Sequence, residues 1–409
     1  MVALLVFAVT LLVAVFLSEF ARRSILSTAV LFLVAGFIAG GGVMEWIPMQ
    51  VSNPVVARFS ELALFSVLFT DGMRIGLRDL TSAWRLPGRA LLLGFPLNLA
   101  LVALVAHWIV QLSWIESFLL GAVLSPTDPV FAAAIVGRKD IPARIRNLLN
   151  VESGVNDGIA LPLVLIFLNV AGKEHIDAFS LTGEVALGVA IGIAVSWTVL
   201  RIEKFRIFAV AAHYEAFDTF AIALLLLTLT SLTHANQFLA AFVGGVTIAT
   251  SFPEMRDQFH EFGNRLAELL KLAALLVFGA LISPQFLAEI DWRGYIFALL
   301  VLLLVRPVAL SLALLGSRLP WREWLIAAWF GPRGFASVVF GLIILQSDLA
   351  MADRLFHLIA IVVIGSIIAH SSTDVLLARW LYAPGQPKAK KEKAALKKRH
   401  RAGNADFEE

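Results

Sequence analysis

Ser125-Pro126-Thr127-Asp128-Pro129 interrupts an otherwise apolar stretch, SFLLGAVLSPTDPVFAAAIVG, which covers residues 117–137. Each proline removes one backbone donor from a helix, and its ring obstructs the preceding turn. The spacing therefore predicts a helix that breaks or unwinds halfway along its length. One cavity would then be lined by the carbonyl groups that the break frees, by a half-helix N-terminus and by the Asp128 carboxylate.

The composition of the 409-residue chain shows what surrounds this break. Apolar residues make up 59% of the chain and charged residues 15%, whereas soluble domains have roughly 45–50% and 25%. So much apolar surface excludes a water-soluble enzyme, a secreted disulfide-linked domain and a disordered chain. Long apolar runs indicate an all-α polytopic membrane protein and not a β-barrel. The chain contains no cysteine, which excludes disulfides, thiol catalysis and thiolate metal sites.

Thirteen segments are long and apolar enough to be candidate transmembrane helices. They cover residues 2–20, 24–42, 54–71, 89–112, 115–137, 143–171, 179–200, 215–233, 236–251, 263–283, 293–316, 322–346 and 354–382. Of the 33 Lys and Arg residues, 17 lie in one set of alternate loops and 4 in the other. The positive-inside rule then places the N-terminus outside and the C-terminus in the cytoplasm. The basic tail, residues 383–409, is predicted to be a disordered cytoplasmic anchor beside anionic lipid.

The sixth segment carries a dense polar cluster. Asp157 lies about ten helical residues beyond a basic loop, which is roughly 15 Å or half the bilayer core. Ser153 and Asp157 are four residues apart and share one helix face, whereas Glu152 and Asn156 share the adjoining face. The first face offers a hydroxyl and a carboxylate. The second offers a carboxylate and an amide that need a partner.

The twelfth segment contains a second break, Gly331-Pro332-Arg333-Gly334. Arg333 stays charged and must be paired when buried, and we expect Glu152 to be its partner. In the eleventh segment, Arg306-Pro307 is predicted to be a third interruption with a structural role.

The two main breaks occupy equivalent positions in the chain. The first lies in the fifth of segments 1–6, and the second lies in the fifth of segments 8–13. These sets are offset by seven segments, an odd number, so their orientations in the membrane are opposite. Broken helices at equivalent positions of inverted halves predict two inverted six-helix repeats with a transport site between them.

The residues at the breaks suit a monovalent cation. Asp157 offers one negative charge for which a proton and a cation compete. Thr127, Ser153 and Asp128 add hard oxygen ligands, which suit Na⁺, Li⁺ or K⁺ and do not suit thiophilic metals. Alternating access to such a site exchanges one ion for the other.

Two further charged positions lie away from this cluster. Asp71, at the cytoplasmic end of the third segment, is a candidate entrance residue or an interfacial cap beside Arg74. Lys271, about two turns into the tenth segment, is expected to extend towards the interface or to pair with Glu268.

At these residues the chain resembles the monovalent cation:proton antiporters, the sodium/proton exchangers. The matching stretches are Ser125-Pro-Thr-Asp-Pro-Val130, Glu152-Ser-Gly-Val-Asn-Asp-Gly158 and Gly331-Pro-Arg-Gly334, in order, spacing and segment. The resemblance implies a homodimer with a transmembrane antiporter domain over residues 1–382. Core helices, about 54–171 and 263–382, would move like an elevator against dimerisation helices, about 1–42 and 179–251.

The resemblance also implies roles for individual residues. Asp157 would carry the proton and the cation in turn. The cation ligands would be Asp157, Asp128, Ser153 and Thr127, and the supporting network would be Asn156, Glu152 and Arg333. The pair Asn156-Asp157, where other branches have two aspartates, resembles the electroneutral branch of the family.

Together these observations favour electroneutral exchange of Na⁺ or Li⁺ for a proton, in the service of pH homeostasis. We expect no cofactor and no nucleic-acid partner, and the short chain favours a bacterial inner membrane. Two alternatives stay open: K⁺/H⁺ exchange, because oxygen ligands do not separate these ions, and a sodium-coupled organic-solute symporter. A symporter would need two or more cation sites and a crevice for the solute. No H-E-x-x-H pair occurs, which argues against an intramembrane enzyme.

Overall fold

A computed structural model describes residues 1–18, 27–47, 54–74, 84–128, 141–172, 178–203, 205 and 215–382. All regular secondary structure in these residues is helical. Two predicted features lie outside the described residues: the second half of the fifth segment, residues 129–137, and the basic tail at 383–409.

The helices follow one another with short connections. The first seven are α1 (Val2–Phe16), α2 (Thr28–Ala39), α3 (Pro54–Arg74), α4 (Arg85–Val110), α5 (Trp114–Leu124), α6 (Ala143–Ala171) and α7 (Ala178–Glu203). The next eight are α8 (Glu215–Thr233), α9 (Gln237–Ser251), α10 (Pro253–Leu281), α11 (Pro284–Glu289), α12 (Trp292–Ala313), α13 (Trp321–Trp329), α14 (Phe335–Leu345) and α15 (Ala352–Tyr382). Short π-helical stretches interrupt α4 at Ala90–Gly94 and Ala106–Val110, and α12 at Val301–Val305.

Length and composition identify this chain as an all-helical membrane protein. Five helices of the described residues are long and apolar enough to cross a bilayer. They are Arg85–Val110, Ala143–Ala171, Thr182–Glu203, Trp292–Ala313 and Ala352–Thr373. Shorter apolar helices include α1, α2, α5, α9 and α14. The total number of spans, the inverted repeats and the orientation of the termini stay predictions.

A capping box sets where α5 begins, and a proline sets where it ends. The Ser113 hydroxyl accepts the backbone N–H of Glu116, and the Glu116 carboxylate accepts the backbone N–H of Ser113. This reciprocal pair of bonds is a capping box. From that start the helix runs to Leu124 and stops before Pro126, whose missing N–H cannot continue it. The predicted break is therefore present at the predicted proline.

Close packing of helix backbones positions the rest of the fold around the breaks. A Cβ atom added at Gly36 in α2 would collide with the backbone of Leu276 in α10, and one at Gly40 would collide with Ala280. Small residues at such contacts let the two backbones touch. In the same way α3 packs chiefly on α9, and both α3 and α10 also contact α14. The second break, residues 330–334, therefore lies beside both halves of the chain.

Candidate functional site

Asp157 lies at the middle of α6, buried with only 4% of its surface exposed. Ser153 lies one turn earlier on the same face and is also buried. Among the described residues, no group donates a hydrogen bond to Asp157 Oδ1, although that atom is out of contact with solvent. Buried polar atoms are normally satisfied, so this oxygen is available to a proton or a cation.

The two hydroxyls expected at the site meet at the first break. Thr127 Oγ1 lies 3.2 Å from Ser153 Oγ. Asn156 Nδ2 donates to the same Thr127 oxygen at 2.8 Å. The structure therefore brings together one residue of the break and two residues of α6. Because Asp157 lies on the same face of α6 as Ser153, the hydroxyls of Thr127 and Ser153 lie on the face of the helix that carries the Asp157 carboxylate.

Asp128 joins the first break to the second. Its backbone N–H donates to the Pro332 carbonyl at 2.9 Å. One carboxylate oxygen, Oδ2, accepts the backbone N–H of Phe335 at 3.0 Å. Phe335 is the first residue of α14, and a carboxylate at a helix N-terminus is stabilised by the free N–H groups and the helix dipole.

Arg333 makes the reciprocal contact at the end of α5. Its Nε donates to the Leu124 carbonyl at 2.8 Å, and Nη2 donates to Asn98 Oδ1 at 3.3 Å. Its backbone N–H donates to Ser366 Oγ at 2.7 Å. Leu124 is the last residue of α5, so the guanidinium satisfies a carbonyl that the break leaves without a helical partner.

The expected pairing of Glu152 with Arg333 is wrong. Glu152 instead forms a bidentate ion pair with Arg306, at 2.7 Å from Nη1 and 2.9 Å from Nη2. Arg306 Nη2 also donates to the carbonyls of Ala327 and Phe330, at the end of α13. Arg306 is therefore more than part of a structural interruption. Arg306 donates hydrogen bonds to carbonyls at the C-terminal end of α13, as Arg333 does at the C-terminal end of α5.

The expectation for Lys271 is also wrong. Lys271 does not extend to the interface but is buried, with 5% of its surface exposed. Its Nζ lies 3.5 Å from Asp128 Oδ1 and faces the ring of Phe335 at 5.9 Å. A buried ammonium needs a negative partner, and the carboxylate at the break provides it. Glu268 is one turn away on the surface of α10, where it cannot serve a buried charge.

Asp71 is the partner of Arg74, as one of its two predicted roles required, and its role as an entrance residue stays a prediction. Its carboxylate accepts from Arg74 Nη1 at 2.8 Å, and Arg74 in turn donates to Asn264 Oδ1 of α10 at 2.7 and 3.1 Å. Asp71 is nevertheless almost fully buried. Its burial and its bond to Arg74 place this ion pair inside the protein and not at an exposed interface.

Lys271 and Arg306 are the residues that motif matching missed. Each is an ionisable side chain within an apolar segment, and such residues normally mark functional or paired positions. That signal was present in the sequence, but neither residue belongs to the three matching stretches.

Comparison with known proteins identifies the family of the chain. The family model described as "Sodium/hydrogen exchanger, transmembrane" matches residues 7–379. A K(+)/H(+) antiporter NhaP of Alkalimonas amylolytica is 25% identical over 387 residues, covering 92% of this chain and 66% of that protein. The chain thus spans about two thirds of the length of the bacterial relatives it matches.

A eukaryotic relative and a solved structure match as well. A probable Na(+)/H(+) antiporter of Schizosaccharomyces pombe is 28% identical over 251 residues, or 56% of this chain and 33% of that protein. The sodium proton antiporter MjNhaP1 of Methanocaldococcus jannaschii, solved at pH 8, superposes with a TM-score of 0.75 at 18% identity. That superposition covers 93% of this chain and 98% of the other, which shows that the two share a fold.

Proposed function

The chain belongs to the sodium/hydrogen exchanger family of monovalent cation:proton antiporters, and we propose that it exchanges Na⁺ or Li⁺ for a proton across a membrane. The observation that carries the proposal is the oxygen Asp157 Oδ1, which is buried and has no hydrogen-bond partner among the described residues. It lies on the helix face of Ser153, whose hydroxyl is 3.2 Å from that of Thr127. The named relatives are antiporters, so the chain belongs with transporters and not with enzymes.

In this proposal Asp157 binds the proton and the cation in turn. The cation is held by the Asp157 carboxylate with oxygen atoms of Asp128, Ser153 and Thr127, which replace part of its hydration shell. When the proton binds, the carboxylate is neutral and the cation leaves. Only one of the two can be held at a time, because both require the same negative charge.

The charges near Asp157 support a one-for-one exchange. Three carboxylates, those of Asp71, Asp128 and Asp157, act together with two cationic groups, those of Arg74 and Lys271. Arg74 contacts Asp71 and Lys271 contacts Asp128, so of these three carboxylates only Asp157 has no ionic partner among the described residues. One uncompensated negative charge matches one monovalent cation or one proton, so the transport cycle would be electroneutral.

The contacts between the two breaks support the rest of the architecture that we propose. It comprises thirteen transmembrane helices in two inverted six-helix repeats, with the N-terminus outside and the C-terminus in the cytoplasm. Core helices, about 54–171 and 263–382, would move as an elevator against dimerisation helices at about 1–42 and 179–251 in a homodimer. The closure of α5 by Arg333 and of α13 by Arg306 agrees with two related halves. A bacterial inner membrane is the location we propose.

K⁺/H⁺ exchange is the second candidate function, because the bacterial relatives at 23–25% identity are named as K⁺/H⁺ antiporters. Hydroxyl and carboxylate oxygens bind Na⁺, Li⁺ and K⁺ alike, and the size of the cavity decides between them. The match to an exchanger family argues against a sodium-coupled solute symporter.

The test uses the full chain in proteoliposomes that contain a pH-sensitive dye. Na⁺, Li⁺ or K⁺ is added outside, with and without a clamp on the membrane potential. We expect Na⁺ and Li⁺ to change the internal pH at a rate that does not depend on potential. A response to K⁺ alone would select the second candidate, dependence on potential would overturn electroneutrality, and no response to any of the ions would overturn exchange.

A further inference from the structure

A small cavity lies among α4, α6 and α12, beside the face of α6 that carries Glu152 and Asn156. Its polar lining comes from Asn98, Ser125, Glu152, Asn156 and Arg306. The centre of a water-sized sphere can occupy about 10 Å³ of the cavity. A buried site needs roughly 10–15 Å³ of such space and two to four polar partners to hold one water. The cavity therefore has the size and the polarity of a single-water site.

Two residues of the lining each carry a buried atom that requires a partner of this kind. Arg306 Nε is a donor and Asn156 Oδ1 is an acceptor; both are buried, and neither has a hydrogen-bond partner among the described residues. The other ends of both side chains are fixed, Arg306 by Glu152 and Asn156 by Thr127. One water can accept from the Arg306 N–H and donate to the Asn156 oxygen, which satisfies both atoms at once.

We propose that one ordered water in this cavity joins Arg306 Nε to Asn156 Oδ1, and that Arg306 is thereby a positioning residue for the cation site. The inference rests on the exchange proposed above. A water that accepts the Arg306 N–H is polarised and becomes a stronger donor, which favours the oxygen end of the Asn156 amide towards the cavity. The nitrogen end then faces Thr127, at 2.8 Å.

The direction of the Asn156 amide determines whether the Thr127 hydroxyl accepts a hydrogen bond from it or donates one to it. With the amide nitrogen towards it, Thr127 Oγ1 accepts a hydrogen bond, and its own proton is free to point at Ser153 Oγ, 3.2 Å away. With the amide reversed, the Thr127 proton would be drawn to the amide oxygen. Arg306 thus favours, through the water, one arrangement of the hydroxyl lone pairs around a cation, while its guanidinium forms the ion pair with Glu152.

Arg306→Lys keeps the charge but removes the Nε–H at the cavity, together with the Nη2 bonds to the carbonyls of Ala327 and Phe330. Arg144→Lys is the matched control, because Arg144 also forms a bidentate pair, with Glu323, but does not line the cavity. Since losing the partner that orients a metal ligand costs roughly 10–100-fold in affinity, we expect Arg306→Lys to raise the half-saturating Na⁺ concentration about tenfold. The maximal rate should change far less, and Arg144→Lys should leave both quantities at the wild-type value.

A map of the full chain in nanodiscs, at a resolution that shows ordered water, gives a readout that does not depend on transport. We expect density about 3 Å from both Arg306 Nε and Asn156 Oδ1 in the wild type, and its loss in Arg306→Lys. The proposal is overturned by a wild-type map without that density, or by an unchanged half-saturating concentration in Arg306→Lys. If wild-type vesicles exchange none of the ions, the proposed function fails while the map still decides on the water. The wild-type map also decides if Arg306→Lys does not fold.

Discussion

The carboxylate of Asp128 accepts the backbone N–H of Phe335 at 3.0 Å, across 207 residues of sequence. Arg333, two residues before Phe335, donates to the carbonyl of Leu124, four residues before Asp128. A negative side chain thus meets the positive end of α14, and a positive side chain meets the negative end of α5. Each break is stabilised by a residue of the other break, and neither is complete alone.

This contact leaves no room at Gly334, and we predict that Gly334→Ala lowers both stability and transport. A Cβ atom at Gly334 would collide with the Asp128 side chain, and overpacking of this kind costs about 1–3 kcal/mol. Thermal unfolding in detergent and exchange in vesicles measure the two effects. Gly183→Ala is the control, since a Cβ there meets nothing within 4 Å. Equal behaviour of the two variants would contradict the crowding at the break.

Asp157→Asn is expected to abolish exchange while the protein keeps its fold. The amide has nearly the shape of the carboxylate but carries no charge for a cation and does not take up the transported proton. Transport in vesicles and thermal unfolding in detergent give the two readouts. Asp348→Asn, at an exposed position in the loop after α14, should transport like the wild type. Wild-type exchange by Asp157→Asn would rule out the central role of this carboxylate.

Arg333→Ala is expected to destabilise the protein. The reason is the loss of donors to the buried Leu124 carbonyl and to Asn98 Oδ1, and each unsatisfied buried acceptor costs about 1–3 kcal/mol. The thermal midpoint in detergent should fall by several degrees. Arg58→Ala is the control, because the Arg58 side chain is 82% exposed in its pair with Glu61 and such pairs contribute little. An unchanged midpoint for Arg333→Ala would show that water replaces the guanidinium.

Glu152 and Arg306 should be strongly coupled in a double-mutant cycle. Removing one partner leaves the other charge buried, which costs roughly 3–5 kcal/mol, so Glu152→Ala together with Arg306→Ala should cost much less than the sum of the single changes. The Arg144–Glu323 pair is the comparison, since the Arg144 side chain is 51% exposed and its coupling should be about 0–1 kcal/mol. Additive effects of Glu152→Ala and Arg306→Ala on thermal unfolding would be inconsistent with the bidentate pair.

Lys271→Gln should lower the half-saturating Na⁺ concentration. The Lys271 ammonium, 3.5 Å from Asp128 Oδ1, repels a cation that enters the same site, and a buried charge is poorly screened. Removing it strengthens the attraction of Asp128 for the cation. Lys271→Arg keeps the charge and serves as the control. A higher half-saturating concentration in Lys271→Gln would mean that the lysine shapes the site more than it opposes the ion.

Local chemistry in the sequence was sufficient to predict the breaks and the polar face of α6. Pro126 and Pro332 each remove a helix donor, and a helix ends shortly before each of them. The four-residue spacing of Ser153 and Asp157 fixes a shared face on any α-helix. These features depend on a few neighbouring residues only. For that reason the structure has them at the expected positions.

Partners across helices could not be predicted in the same way. The sequence gives the depth of Glu152, Arg306 and Arg333 in the membrane, but not the rotation of each helix about its axis. Rotation decides that Arg306 faces Glu152 while Arg333 faces the end of α5. For Lys271, the spacing of residues along one helix suggested Glu268 as the partner. In the structure Lys271 is buried on the face of α10 towards α14, and its partner is Asp128.

The mutual closure of the two breaks has a consequence for the synthesis of the protein. Arg333 follows Leu124 by 209 residues, which a ribosome adds in roughly 10–40 s at 5–20 residues per second. Throughout that interval α5 has no arginine that can donate a hydrogen bond to its last carbonyl, that of Leu124. During biogenesis this carbonyl must therefore be satisfied by water or by the insertion machinery until Arg333 has been synthesised. Chains truncated before Arg333 should be degraded and not folded.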